Sequence, residues 1–331
     1  MSSAERRICV CGAVAAALVL PEGAFAHVGR TAPVATNFEA RITAIKPPSP
    51  VVEAKVVDGD RQLWLRTRAD AVVVIPGAEG EPLLRFDPAG VQVNLRSLTA
   101  QADRIDRLDL RPDTNPAARP HWHRLTSDHS YRWHEHRLHA LEPLARGQRR
   151  RTVLGRWSVP LLIDGRRHSL AGVLVYRPPR FTWPLVILAV SIAALTTGTL
   201  AISATAARRT AVVAALVASL LVWVVRIGRE LYGRPGVDAG GYIEIVLTSL
   251  VGTGLVYGLL HRDEGVRLFV ALLAAAGCLY QGLTMLSVLT HAVALTELPT
   301  APARLAVAVL LGLGGGVLAI TLHERLGGGA R

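Results

Sequence analysis

Apolar and polar positions fall into three regimes along the chain. Arg6 and Arg7 precede an apolar run from Ile8 to Leu20, which leads through Pro21, Glu22 and Gly23 to Ala24-Phe25-Ala26. A basic start, a short apolar core and an A-x-A end predict a secretory signal peptide over 1–26. Residues 27–180 then mix polar and apolar positions as a water-soluble domain does. From 184 to 322 the chain is nearly all Ala, Val, Leu, Ile and Gly, with few charges. The expected organisation is a leader (1–26), an extracytoplasmic β-sandwich domain (27–180) and a polytopic membrane domain (181–331).

Within the middle regime, β-favouring runs recur at short intervals: Phe38–Ile45, Val51–Val57, Gln62–Thr67, Ala71–Ile75, Leu83–Phe86 and Val91–Leu95. Turn-forming pairs separate them, among them Pro47-Pro48, Asp58-Gly59, Pro76-Gly77, Asp87-Pro88 and Ala89-Gly90. Trp157–Ile163 and His168–Tyr176 flank Asp164-Gly165, a strong hairpin signal. Many short strands with no convincing amphipathic helix predict an all-β, immunoglobulin-like sandwich. Thr99 to Arg124, rich in Asp, Arg and Pro, reads as a long connection.

The last regime predicts an α-helical bundle of about five membrane spans, near 184–206, 211–225, 242–260, 268–289 and 305–322. With the outer domain outside, the inner loops and C-terminus carry Arg208, Arg209, Arg262, Arg267, Arg325 and Arg331, against Arg226, Arg229, Arg234 and Arg304 outside. That bias mildly favours this orientation. Glu244 is the carboxylate of the spans, either functional in its own right or paired with Arg234 at the interface. Gly312, Gly314, Gly315 and Gly316 suit close helix packing.

The formal net charge of +12 raises the question of nucleic acid. Of 37 basic residues only Lys46 and Lys55 are lysine, and the arginines are scattered singly among Asp and Glu. This is a solvated arginine-biased surface with attraction to an anionic bilayer, and no nucleic-acid partner is expected. The three cysteines are Cys9 and Cys11 in the leader and Cys278 in a span, so the outer domain has neither a disulfide nor thiol chemistry. No Walker loop, nucleophile elbow or HExxH motif occurs, and the chain does not read as an enzyme.

Histidine is the candidate chemistry. Of eleven histidines, His27, His121, His123, His129, His134, His136, His139 and His168 fall in the outer domain. Cleavage after Ala26 would expose His27 as an amino-terminal residue, whose α-amino and ring nitrogens chelate copper well. On an extended strand His134 and His136 share a face, about 7 Å apart, with Trp133, Glu135 and Arg137 opposite. His121 and His123 repeat the spacing around Trp122 and rank lower. The plain alternative for each pair is an exposed, polar strand edge.

Ala26-His27, Thr36-Asn37-Phe38, Ile42-Thr43-Ala44, Pro82–Arg85, Trp133-His-Glu-His-Arg-Leu-His139 and the closing hairpin together resemble an uncharacterised family of exported bacterial membrane proteins. That family carries a W-H-[DE]-H-R-x-H motif and often a histidine after the leader, which points to His27, His134, His136 and His139. Ala140 and Leu141 stand where the family often has an aromatic residue and a methionine, which disfavours a thioether ligand. A His-first exported sandwich is similar, more loosely, to CopC-type copper-binding proteins, although their sequence pattern is not present. The leading expectation is a copper-handling or copper-sensing membrane protein that binds one metal through His27 and one or more of His134, His136 and His139, with Trp133 and Glu135 behind the ligands and a metal-trafficking protein as partner. Two other readings are a non-metal envelope interaction module with a membrane anchor, and a small transporter with an outer delivery domain.

Overall fold

In a computed structural model the chain is described over residues 33–103, 105, 115, 117–139, 148–179, 182–232 and 239–327. The strands in chain order are β1 (Ala35–Thr36), β2 (Phe38–Lys46), β3 (Val52–Val57), β4 (Gln62–Thr67), β5 (Val73–Pro76), β6 (Pro82–Asp87) and β7 (Gly90–Asn94). After the short helix α1 (Leu98–Ala102) come β8 (Trp122–Thr126), β9 (Ser130–His134), β10 (Thr152–Ile163) and β11 (Arg166–Tyr176). Helices α2 (Trp183–Gly198), α3 (Ala204–Leu231), α4 (Ala239–Leu259), α5 (Glu264–Thr284), α6 (Ser287–Thr290) and α7 (Thr300–Gly327) follow, with β12 (Val293–Ala294) before the last. The chain divides into two compact units, Asn37–Pro178 and Met1–Thr36 with Pro179–Arg331.

The β unit contains a seven-stranded sheet ordered β2-β11-β10-β5-β6-β7-β8 and a three-stranded sheet ordered β3-β4-β9. All pairings are antiparallel. Alternation explains them: Leu63, Leu65 and Trp133 of the small sheet share one core cluster with Ile75, Leu84, Phe86, Val159, Leu161 and Leu170 of the large one. The two-residue β10–β11 turn has both residues at positive φ, Asp164 (47°) and Gly165 (78°), and the four-residue β3–β4 loop opens with a similar pair, Asp58 (55°) and Gly59 (78°). That backbone matches strand twist, and Asp-Gly adopts it at low cost. The expected strands therefore stand with small changes at their ends, and the Asp164-Gly165 hairpin is present.

Three expectations change. The connection expected over Thr99–Arg124 contains α1, whose cap is Ser97 Oγ accepting from Ala100 N, and it runs into β8. Trp122–Thr126 pairs with β7 although none of its residues is fully buried, because an edge strand needs only its backbone paired. The strand carrying His134 ends there; a 3-10 turn over His136–Leu138 follows.

Among the described residues of the helical unit, four helices are long and apolar enough to cross a membrane: Trp183–Ala201, Ala204–Leu231, Glu264–Thr284 and Thr300–Leu326. By composition this is a membrane protein. A shorter apolar stretch, Ile245–Leu259, lies in α4. The first helix stops well before 206, because Ser203 caps a new helix by accepting from Ala206 N. The second runs far beyond 211–225 and takes in Arg208, whose guanidinium donates to Glu324 at 2.8 Å and lies 3.3 Å from Glu264. Small residues close the packing: a Cβ on Gly312 would sit 2.7 Å from Ala189 O, and one on Gly316 2.6 Å from Thr196 Cβ. Close approach of α2 and α7 is thus written into the glycines. Arg234 and the Glu244 side chain lie outside the described residues.

Candidate metal centre

Trp133 to His139 is built by a strand end that bends. Trp133 is buried in the core and Leu138 is fully buried. Glu135 is 3% exposed and accepts hydrogen bonds from Trp133 Nε1 (3.0 Å) and from Arg137 Nε (2.6 Å) and Nη2 (2.7 Å). Its carboxylate also caps the 3-10 turn by accepting from Arg137 N at 3.2 Å. Arg137 Nη1 donates to Pro76 O at 3.1 Å, which ties the turn to β5. Trp133, Glu135, Arg137 and Leu138 thus fix the backbone, and the three histidines are left over.

Those three converge. His134, His136 and His139 each offer a ring nitrogen, and the three lie within 4.8 Å of one another. Ring centroids are 4.6 Å apart for His134 and His136, 5.0 Å for His134 and His139, and 6.0 Å for His136 and His139. The extended-strand spacing expected from sequence is replaced by a tighter one, because the turn swings His136 and His139 back beside His134. His139 Nε2 stands 3.3 Å from His134 Nε2. Two imidazole nitrogens bound to one tetrahedral ion at about 2.0–2.1 Å lie roughly 3.3–3.4 Å apart.

Carboxylates that the sequence did not single out flank the cluster. Asp60 Oδ2 lies 3.2 Å from His139 Nδ1, and Asp103 Oδ1 lies 2.6 Å from His136 Nε2. Asp60 lies between the Asp58-Gly59 turn and β4, and Asp103 lies in the polar connection after α1; neither has a sequence signal tying it to the motif. Glu135 hydrogen-bonds Trp133 and Arg137, whereas the carboxylates in contact with the imidazoles are those of Asp60 and Asp103.

Burial, then the charges of His136, His139 and Arg61, push the His134 imidazole down to about 4. It is therefore neutral at pH 7, the form that can donate a lone pair. Burial is also the main cause that raises the Asp103 carboxyl to about 6, with Glu135 adding to it and His136 opposing.

The remaining candidates stand apart. His121 and His123 border or lie in β8, with Val93 opposite His123, and they join no three-residue metal-ligating cluster among the described residues. His168 Nδ1 contacts Pro47 O at 2.9 Å, just past the end of β2, the strand paired with its own. His27 lies outside the described residues. No family model, no curated protein and no solved structure matches the chain. The reading of the site rests on its own geometry.

Proposed function

We propose that this is a membrane-anchored, extracytoplasmic protein that binds copper at His134, His136 and His139, to handle or to sense it. The observation that carries the reading is the convergence of three ring nitrogens within 4.8 Å of one another on a turn whose other residues are occupied in holding it. Imidazole suits copper, zinc, iron and nickel, and in the order of divalent affinities copper binds such a site most tightly. The half-buried ligands leave one side open through His136, whose side chain is 60% exposed, so a bound ion would be reachable by a metal-trafficking partner.

The finer architecture belongs to the same proposal. The two sheets are those of an immunoglobulin-like sandwich, the Ala239–Leu259 helix is a fifth span, and the leader together with the arginine bias places the sandwich outside. The role is binding, with no catalytic step.

The test is Cu(II) titration of the metal-free, full-length chain in detergent, followed by EPR. One type 2 copper per chain with nitrogen couplings is expected, and it is lost in His134→Ala. Binding that is non-stoichiometric, or the same in His134→Ala, would refute the reading.

A further inference from the structure

We propose that Asp60, Asp103 and Gln62 form an outer ring that orients the three imidazoles and biases the site toward a divalent ion. This rests on the metal reading above. A neutral imidazole has one N–H and one lone pair, so the group that accepts the N–H decides which nitrogen can face a metal. For His139 that group is Asp60 Oδ2 at Nδ1, which leaves Nε2 with the lone pair; Nε2 is the atom 3.3 Å from His134.

For His136 the neighbour is Asp103 Oδ1 at Nε2, which leaves Nδ1 as the ligand atom. The Asp103 side chain is 2% exposed, and this oxygen, though 2.6 Å from the ring, takes no well-aligned hydrogen bond. A modest rotation of the His136 ring would align it. His134 needs an acceptor for its Nδ1–H once Nε2 faces the ion. Gln62 is its directly opposed residue across β4 and β9, and Gln62 Oε1 is buried without a hydrogen-bond partner. Each imidazole thus has one neighbour suited to hold it, and the two orphaned oxygens in this corner, Asp103 Oδ1 and Gln62 Oε1, would both be satisfied by the metal-bound arrangement.

The ring also sets the ion's charge. Glu135 is paired with Arg137, whose positive charge offsets its own, so Asp60 and Asp103 are the carboxylates in contact with the imidazoles and not neutralised by an arginine. Attraction to two negative charges scales with the charge of the ion, so Cu(II) gains about twice what Cu(I) does. Soft sulfur ligands select Cu(I), and the segment 37–178 contains neither cysteine nor methionine.

The experiment compares Cu(II) and Cu(I) affinities of the full-length chain in detergent, each by competition with a chelator specific for that ion. Asp60→Asn with Asp103→Asn keeps size and acceptor oxygens but removes both charges. Cu(II) affinity is expected to fall about tenfold to hundredfold, and Cu(I) affinity by less than about threefold. Gln62→Leu removes orientation without charge and is expected to weaken both ions to the same degree. Glu53→Gln, a carboxylate of the same sheet held by Arg66, is expected to leave both unchanged. Equal loss of both ions in the double variant, or no loss, overturns the proposal while the wild-type site stands. A wild-type chain that binds neither ion removes the metal reading as well. If the double variant does not fold by near-UV circular dichroism, Asp60→Asn alone carries the same comparison.

Discussion

Replacing Glu135 by Ala tests whether this residue, and not the histidines, holds the motif in shape. The carboxylate is 3% exposed and accepts three hydrogen bonds from Arg137 and one from Trp133 Nε1. Removing one partner of a buried ion pair costs about 3–5 kcal/mol, because the other charge is stranded. The Arg137 side chain is 23% exposed and reaches some water, so the lower end applies, about 3 kcal/mol. The Trp133 N–H left without an acceptor adds about 1 kcal/mol. For a unit of this size that lowers the thermal midpoint by roughly 8–16 °C. The assay is thermal unfolding of the metal-free, full-length chain in detergent, read by near-UV circular dichroism of the β unit's tryptophans. A second variant separates stranded charge from lost packing: adding Arg137→Met to Glu135→Ala removes the stranded cation and is expected to recover about half of the loss. A drop below about 1 kcal/mol, or a double variant that loses the sum of both single effects, would refute the reasoning.

Four further outcomes follow from the packing and hydrogen bonding of the chain. Leu138→Ala opens a cavity at a fully buried position and is expected to cost about 2–5 kcal/mol in the same unfolding assay, with copper affinity reduced as the turn loosens. Gly172→Ala would drive a methyl group into the Trp157 ring and Arg41 O; a loss of roughly 1–3 kcal/mol with a shifted tryptophan emission spectrum is expected. Glu81 is buried, which alone would raise its carboxyl, but hydrogen bonds from Ser97 and from Thr99 outweigh this and hold it below its usual 4.5. Its folded value is the lower one, so its contribution is present above pH 4.5 and is lost as pH falls through the folded value; Glu81→Gln should flatten that part of the acid-unfolding curve. Gly316→Leu would collide with Thr196 at the close approach of α2 and α7, and a lower thermal midpoint of the helical unit in detergent, read by far-UV circular dichroism, is expected.

The fold was legible wherever burial imposed a period. Gln62–Thr67 reads as a strand because Leu63 and Leu65 point into the core and Arg66 out, and the Asp164-Gly165 turn announces its hairpin. Trp122–Thr126 was not legible, since an exposed edge strand needs no apolar face. α1 has only five residues, too few to show a helical period. The start of α3 was hidden because Arg208 looks like a loop residue until Glu324 and Glu264 are seen around it. The histidine motif stood out in the sequence, yet the three residues that converge were grouped for an incomplete reason. An extended strand would put His134 and His136 on one face without His139, whereas the turn capped by Glu135 gathers all three. Asp60 lies 79 positions from His139, and nothing in the sequence links two residues so far apart.

The local arrangement bears on whether the histidines are only a polar edge. Such an edge would let each ring turn to water. Here His134 and His139 set two Nε2 atoms face to face at 3.3 Å, a geometry that at most one proton can bridge. Beside them, one oxygen of Asp103 is buried without a well-formed hydrogen bond, and Gln62 Oε1 has no partner. Buried polar groups in that condition cost about 1–3 kcal/mol each, and a fold keeps them where another requirement outweighs consistency. The rest of the motif shows no such slack: Glu135 takes hydrogen bonds from two residues, and Arg137 reaches both Glu135 and Pro76. Orphaned side-chain atoms occur elsewhere in the chain as well, but of those in this corner both, Asp103 Oδ1 and Gln62 Oε1, lie on residues that adjoin the three histidines. A cation bound there would take up the facing lone pairs and the negative charge together, which neither water nor a rotamer change does for both at once.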